Sequence, residues 1–295
     1  MIVSMTVRIL PAIALSLLCS VPVSGQGLMV KANTDFDTEK SYLFLDSKNP
    51  SYSELDQEMI RVTYNCALAF EDRNRKPAEA TYVLQIGREI SKYYNLIQHK
   101  ADSAMFNTGS ACTSFRIGIY QEKVNQVLSQ DCCYVDLVTG ELIFTGRLAT
   151  EDFRYEEKLP ATEWTIEDEK QEICGYSCSK AVGTFRGRSY TVWFAEELPA
   201  NAGPWKLRGL PGVILRVQAD DGACRMDAVS VASGSGKIIM AEYPYIDVSR
   251  KQYTDMQYQF FKKPSIFISR HFSRIKATMV PNPMTKPYPP LDLLE

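Results

Sequence analysis

Short runs of β-branched and aromatic residues, separated by glycine-bearing turn signals, constrain this chain more than any other feature. Ile60–Phe70 (IRVTYNCALAF) and Ala80–Ile86 (ATYVLQI) flank the polar stretch Glu71–Pro77 and read as a hairpin. Cys133–Leu137 and Glu141–Thr145 flank Val138-Thr139-Gly140, a turn that wants its glycine left-handed. Further on, Trp164–Ile166 and Glu172–Cys174 flank the acidic stretch Glu167–Lys170, which reads as a turn. Tyr176–Gly183 and Ser189–Phe194 flank Phe185–Arg188, and Val213–Val217 and Cys224–Val229 flank Asp220-Asp221-Gly222. Successive hairpins without βαβ alternation predict an antiparallel sheet and argue against a parallel Rossmann-like one. Within Ser189–Ala195, Tyr190, Val192 and Phe194 share one face and Thr191, Trp193 and Ala195 the other. An aromatic on each face implies a strand covered on both sides, as in a curved sheet wrapped around a helix. Gly87–His99 fits either an extended or a helical continuation, and the acidic segment Glu151–Glu172 reads as a solvated hairpin tip.

Helix signals gather toward the C-terminus. Ser249 to Gln252 is a capping-box pattern; Tyr253, Met256 and Phe260 follow at helical spacing, and Pro264 stops the segment. Ile268, Phe272, Ile275 and Met279 make a second helical stripe. Five prolines in 281–290 rule out a regular helix or a central strand there. The predicted fold is therefore α+β but mainly β: a large curved antiparallel sheet, half-barrel-like, with the C-terminal helix packed on it. One domain over 26–280, followed by an extended Pro-rich tail at 281–295, is the economical division.

Residues 1–25 read as a signal peptide. A single charge, Arg8, precedes the apolar run Ile9–Leu18, and Val23-Ser24-Gly25 offers small residues for cleavage. Cys19 raises lipid anchoring as an alternative, but Leu18 stands where lipobox processing wants a small residue. The expected location is therefore exported, periplasmic or extracellular, and the chain is not expected to be an integral membrane protein. Seven cysteines survive such cleavage: Cys66, Cys112, Cys132, Cys133, Cys174, Cys178 and Cys224. An oxidising compartment makes all seven disulfide candidates, with connectivity open. Cys132 and Cys133 point to opposite faces of an extended chain, and a Cys174–Cys178 bond needs a bend at Gly175.

The connection between Phe194 and Val213, about 18 residues, is long for a hairpin, where two to five is usual. Within it, Leu210-Pro211-Gly212-Val213 fits a type II turn with Gly212 at positive φ, and Gly203-Pro204 makes another bend. Trp205, Leu207 and Leu210 give the loop apolar mass, as in an Ω-loop folded back on the sheet. Gly203, Pro204, Trp205, Leu207, Gly209, Leu210, Pro211 and Gly212 are the candidate residues of a ligand site; the plainer reading is that Trp205 plugs one end of the core. "GLPGVIL" (Gly209–Leu215) resembles the signature of the GLPGLI family, the Porphyromonas gingivalis-type family of Bacteroidetes secreted proteins. "LQIG" (Leu84–Gly87), "SKYY" (Ser91–Tyr94), "ICGYSCSKA" (Ile173–Ala181), "FRGRSYTVWFAEELP" (Phe185–Pro199) and the "PYPPLDLLE" ending (Pro287–Glu295) resemble its blocks in order. Val213 departs from the leucine in the family name, and Cys132-Cys133 is outside its pattern. The resemblance implies a secreted protein of this fold and hands over no catalytic residues.

The chemistry-bearing residues are sparse. Only two histidines are present, His99 and His271, and no zinc-protease, nucleophile-elbow or phosphate-loop motif occurs. Cys132, Cys133, Cys174 and Cys178 suit disulfides better than a zinc site, so no metal and no cofactor is expected. The net charge of −2 gives no footprint for nucleic acid. The basic run around His271 reads first as a solvated helix face, with anionic lipid, lipopolysaccharide or an acidic partner as the alternative. These readings favour a non-enzymatic exported protein that takes an apolar ligand or an envelope protein as partner. The alternatives are a hydrolase with an unrecognised site near 203–212, and a structural or assembly protein.

Overall fold

The computed structural model describes residues 18–23, 26–32, 51–69, 76–97, 99–100, 131–148, 151–262 and 277–279. In chain order the strands are β1 (Leu18–Val23), β2 (Gln26–Ala32), β3 (Ser51–Gln57), β4 (Ile60–Leu68), β5 (Ala78–Ile86), β6 (Ile90–Asn95), β7 (Cys132–Asp136), β8 (Glu141–Leu148) and β9 (Glu151–Lys158). They continue as β10 (Trp164–Ile173), β11 (Tyr176–Phe185), β12 (Arg188–Ala195), β13 (Val213–Ala219), β14 (Cys224–Ser233), β15 (Lys237–Glu242), β16 (Ile246–Asp247) and β17 (Ala277–Met279), with helix α1 at Arg250–Lys262 before the last. Twelve of these strands form one open sheet in the order β10-β11-β12-β13-β14-β4-β5-β6-β7-β8-β9-β16. Every pairing is antiparallel except that of the short edge strand β16 with β9. β3 and β15 make a separate ribbon, and β1, β2 and β17 a third small sheet. Met279, expected on a helical stripe, lies instead in β17; the rest of that stripe and the 281–295 tail lie outside the described residues.

Turn chemistry explains the hairpins. Cys174 and Gly175 have φ of 53° and 83°, and Arg186 and Gly187 have 46° and 79°. Two consecutive positive φ values define the primed turn whose twist matches the flanking strands. Gly140, at φ 79°, takes the left-handed position that its sequence called for. The acidic stretch 167–170 is not a turn. β10 runs straight through it, and the register with β11 slips between Glu167 and Lys170, so Asp168 and Glu169 are absorbed as a bulge. That bulge and the exposed carboxylates blunt the open edge of the sheet against further pairing.

Connectivity forces the sheet to curl. β9 and β10 stand ten strand steps apart in the order, about 48 Å along a flat sheet at ~4.8 Å per step. Yet only residues 159–163 join them, and such a linker reaches no more than about 20 Å. The sheet therefore bends back on itself as an open half-barrel. Its inner wall is apolar and aromatic. Tyr82 stacks on Tyr93 at 5.0 Å, with Tyr64 edge-on to Tyr93. Phe144 stacks on Tyr155 at 4.4 Å. Helix α1 packs on this wall: Tyr253 meets Phe144 and Phe153 edge-on and donates its hydroxyl to Asp131 at 2.7 Å. Ser249 caps the helix through the predicted box, accepting from the Gln252 amide while its own amide donates to the Gln252 side chain.

Candidate functional site

The loop 196–212 leaves the end of β12 and returns at β13, two strands that are neighbours in the sheet. Its backbone bonds close on itself: Leu198 and Val213 bond at the base, Ile214 donates to Ala202, and Leu207 donates to Pro204. Gly209 donates to the Asn201 side chain. This is the self-bonded Ω-loop expected from its length and anchors. Leu207 and Leu210 are 1% and 4% exposed and point into the core.

Glycine is required here for reasons that differ from the predicted ones. Gly212 does not take a positive φ, so the expected type II turn is not formed. Its constraint is steric: a Cβ there would lie 2.1 Å from the Ala195 carbonyl oxygen. The left-handed positions are Trp205, at φ 59°, and Gly209, at φ 105°. A bulky residue at positive φ is strained by roughly 1–3 kcal/mol and persists only where its surroundings hold it. Trp205 is held by an edge-on contact with Phe185, 5.6 Å between centroids.

The loop fastens to both ends of the curled sheet. Lys206 is buried, and its ammonium lies 3.5 Å from Glu157 of β9. The rings of Trp205, Tyr155 and Phe144 surround that ammonium at 5.1, 5.5 and 5.7 Å. Glu157 also pairs with Arg186 of the β11–β12 turn at 2.7 Å and with Arg250 of α1 at 3.2 Å. One carboxylate thus ties together the loop, the helix, a turn from one end of the sheet and a strand from the other. Arg208 donates to the Leu137 carbonyl, and the Trp164 indole donates to the Arg208 carbonyl at 2.8 Å. Burial pulls the Arg208 guanidinium below its ordinary pKa, with Asp136 opposing. Beneath the loop, between it and Ser91 and Val135, is a cavity of about 10 Å³, room for one water.

All eight predicted loop residues therefore come together, while the fastening residues Glu157, Arg186, Arg250 and Trp164 were not among them. The other candidates stand apart. The His99 ring lies tilted against Tyr94, 4.9 Å between centroids; desolvation first, then the cations Lys92 and Arg61, push its imidazole down to about 4. His271 and Cys112 lie outside the described residues. Cys66, Cys132, Cys133, Cys174, Cys178 and Cys224 are thiols. The register explains why none of these six bonds another. Cys66 faces Met226 and Ala80, Cys224 faces Leu68, Cys133 faces Tyr93 and Phe144, and Cys178 faces Gln171 and Ala195. Cys132 and Cys133 do alternate between faces. Cys174 occupies the tight turn, where its thiol donates to the Ala228 carbonyl. Among the described residues no group of histidine, cysteine and carboxylate side chains is placed to hold a metal, and no helix is long and apolar enough to cross a membrane.

No family model and no curated protein matches the chain. Among solved structures it is similar to PNGF-II in the P21 and C2 space groups, at 16% and 17% identity with TM-scores of 0.46 and 0.45. Those alignments cover 67% of this chain and 32% of the other, so the chain spans about a third of the length of PNGF-II. It is also similar to the LolA superfamily protein NE2245 from Nitrosomonas europaea, at 10% identity and a TM-score of 0.23, over 65% of this chain and 91% of that one. At these identities and scores the likenesses assign neither an activity nor a ligand to this chain.

Proposed function

We propose that this is an exported, GLPGLI-type envelope protein that acts by binding, without catalysis, and that its ligand is apolar. The observation that carries the reading is the half-barrel itself: an aromatic inner wall whose mouth is covered by a self-bonded loop instead of by a thirteenth strand. A sheet that needed only a solid core could close its own ladder; a separable cover suits an interior that is sometimes occupied. The loop brings cations to Glu157 and supplies no nucleophile with a base beside it, which favours binding over hydrolysis at this place. Native mass spectrometry of the mature protein taken from the periplasm tests the proposal. An adduct of lipid mass that survives gentle ionisation and is lost after delipidation is expected. Recovery of the bare chain alone, while a control lipid carrier keeps its cargo, would refute it.

A further inference from the structure

We infer that the 196–212 loop is a built-in plug: its own leucines occupy the ligand's place, and an apolar ligand enters only when the loop swings out. The inference rests on the apolar-ligand reading and adds its route and its control. Three observations carry it. The space between the loop and Ser91 and Val135 is about 10 Å³, so that space holds no apolar molecule larger than water while the loop is seated. Leu207 and Leu210, buried to 1% and 4% exposure, fill the space between the loop and the sheet. Leu198 and Ala202 accept from Val213 and Ile214 of β13 and stay on the sheet, while the backbone bond inside the lobe 203–211 runs only from Leu207 to Pro204, so that lobe can leave without breaking a strand ladder. What holds it is a set of side-chain fastenings to distant elements: Lys206 to Glu157, Arg208 to Leu137, Trp164 to Arg208 and Trp205 to Phe185. The positive φ of Trp205 adds strain to the seated form. The lobe is also held at its base by the Gly209 amide, which donates to the Asn201 side chain and must let go for the lobe to leave.

If binding waits for opening, its rate follows the open population. Glu157→Gln loosens the fastening at β9, and Trp164→Phe removes the indole donor on the β10 side; the second keeps the test alive should the first fail to fold. The probe is N-phenyl-1-naphthylamine, neutral and apolar, so that it does not respond to the cations around Glu157. In either variant, amide exchange at 205–210 should rise at least tenfold while β4, β5, β12 and β13 stay protected. The association rate of the probe should rise by a similar factor. Faster exchange at 205–210 with an unchanged probe rate would overturn the plug and leave the ligand reading standing. No probe binding by the wild type or by either loosened variant would overturn the ligand reading, and the plug with it.

Discussion

Gly212 and the buried thiols each make a residue-scale claim that a measurement can reject. A Cβ at Gly212 would stand 2.1 Å from a carbonyl oxygen of β12, and that oxygen belongs to backbone, which cannot step aside as a side-chain tip can. Gly212→Ala should therefore cost about 1–3 kcal/mol through overpacking. Equilibrium urea unfolding would read this as a lower midpoint with an unchanged slope; a midpoint within error of wild type would mean that the re-entry into β13 is not tightly packed. Among the thiols, burial pushes Cys66 and Cys224 up to about 12 and Cys178 up to about 11 from an ordinary 9.0. For Cys66, the Tyr93 hydroxyl 3.2 Å away opposes the effect of burial. The sign follows directly. Folded thiols keep their protons where unfolded ones lose them, so stability is intact below about pH 9 and falls as pH climbs toward 11–12, by at most about 1.4 kcal/mol per pH unit per thiol. Urea midpoints at pH 8 and pH 10 should differ in that direction. Alanine at Cys66 or Cys224 should flatten the slope even though it lowers the stability at pH 8. At pH 8 a thiol reagent should modify exposed Cys174 first, and the other three only on unfolding.

The docking of helix α1 on the sheet is decided by one missing side chain. Gly146 of β8 lies under Tyr253, and a Cβ there would come within 2.1 Å of the tyrosine hydroxyl oxygen. That hydroxyl is buried and held by its 2.7 Å bond to Asp131, and desolvation first, then the Asp131 charge, drives its pKa far up. Gly146→Ala should thus destabilise by about 1–3 kcal/mol. Tyr253→Phe removes the obstructing oxygen as well as a hydrogen bond worth about 1 kcal/mol. The double variant should lie closer to Tyr253→Phe alone than additivity allows; strictly additive losses in thermal unfolding would place the clash elsewhere. Several elements were legible before any coordinates because their signals are local. The turn at Gly187, the strands it joins and the Ser249 cap all depend on residues within a few positions of one another, whereas the Cys174-Gly175 turn was hidden because the acidic stretch Glu167–Lys170 read as the turn instead. β9 was missed because Glu151–Lys158 (EDFRYEEK) reads first as an acidic tip. Its Phe153-x-Tyr155-x-Glu157 alternation, a strand period inside the charge, was the available signal. β3 and β15 were hidden for a similar reason, lying as a half-exposed ribbon outside the main core. The candidate loop was legible by its glycines and prolines, but its fastenings were not. Glu157 lies 49 positions from Lys206 and 29 from Arg186, and no periodicity links residues brought together by the curl of a sheet.

At the scale of the whole molecule the question is what keeps twelve strands curled while their ladder stays open. The short linker 159–163 could act as a tether that pulls β9 and β10 together, or it could merely follow a curl set by the fastenings around Glu157 and Trp164. Its own contacts favour the second. Leu159 is buried and donates to the Gly140 carbonyl, so the chain leaves β9 already packed beneath the β7–β8 turn on which Arg208 also rests. Arg154 of β9 is in turn pinned to Asp247 of the edge strand β16 at 2.8 Å. Inserting six Gly/Ser residues between Ala161 and Thr162 separates the two accounts. If the fastenings set the curl, the only penalty is a longer loop to close, about 0.7 kcal/mol for growth from five residues to eleven. The radius of gyration in solution scattering should then match wild type apart from the added residues. If the linker is the tether, the same insertion releases β10–β12 from β9, the loop loses the Glu157 contact, and the particle lengthens measurably. The compact outcome is expected. It should be lost when Glu157→Gln and Trp164→Phe are added to the insertion, because the curl then has neither a short linker nor its side-chain fastenings to hold it.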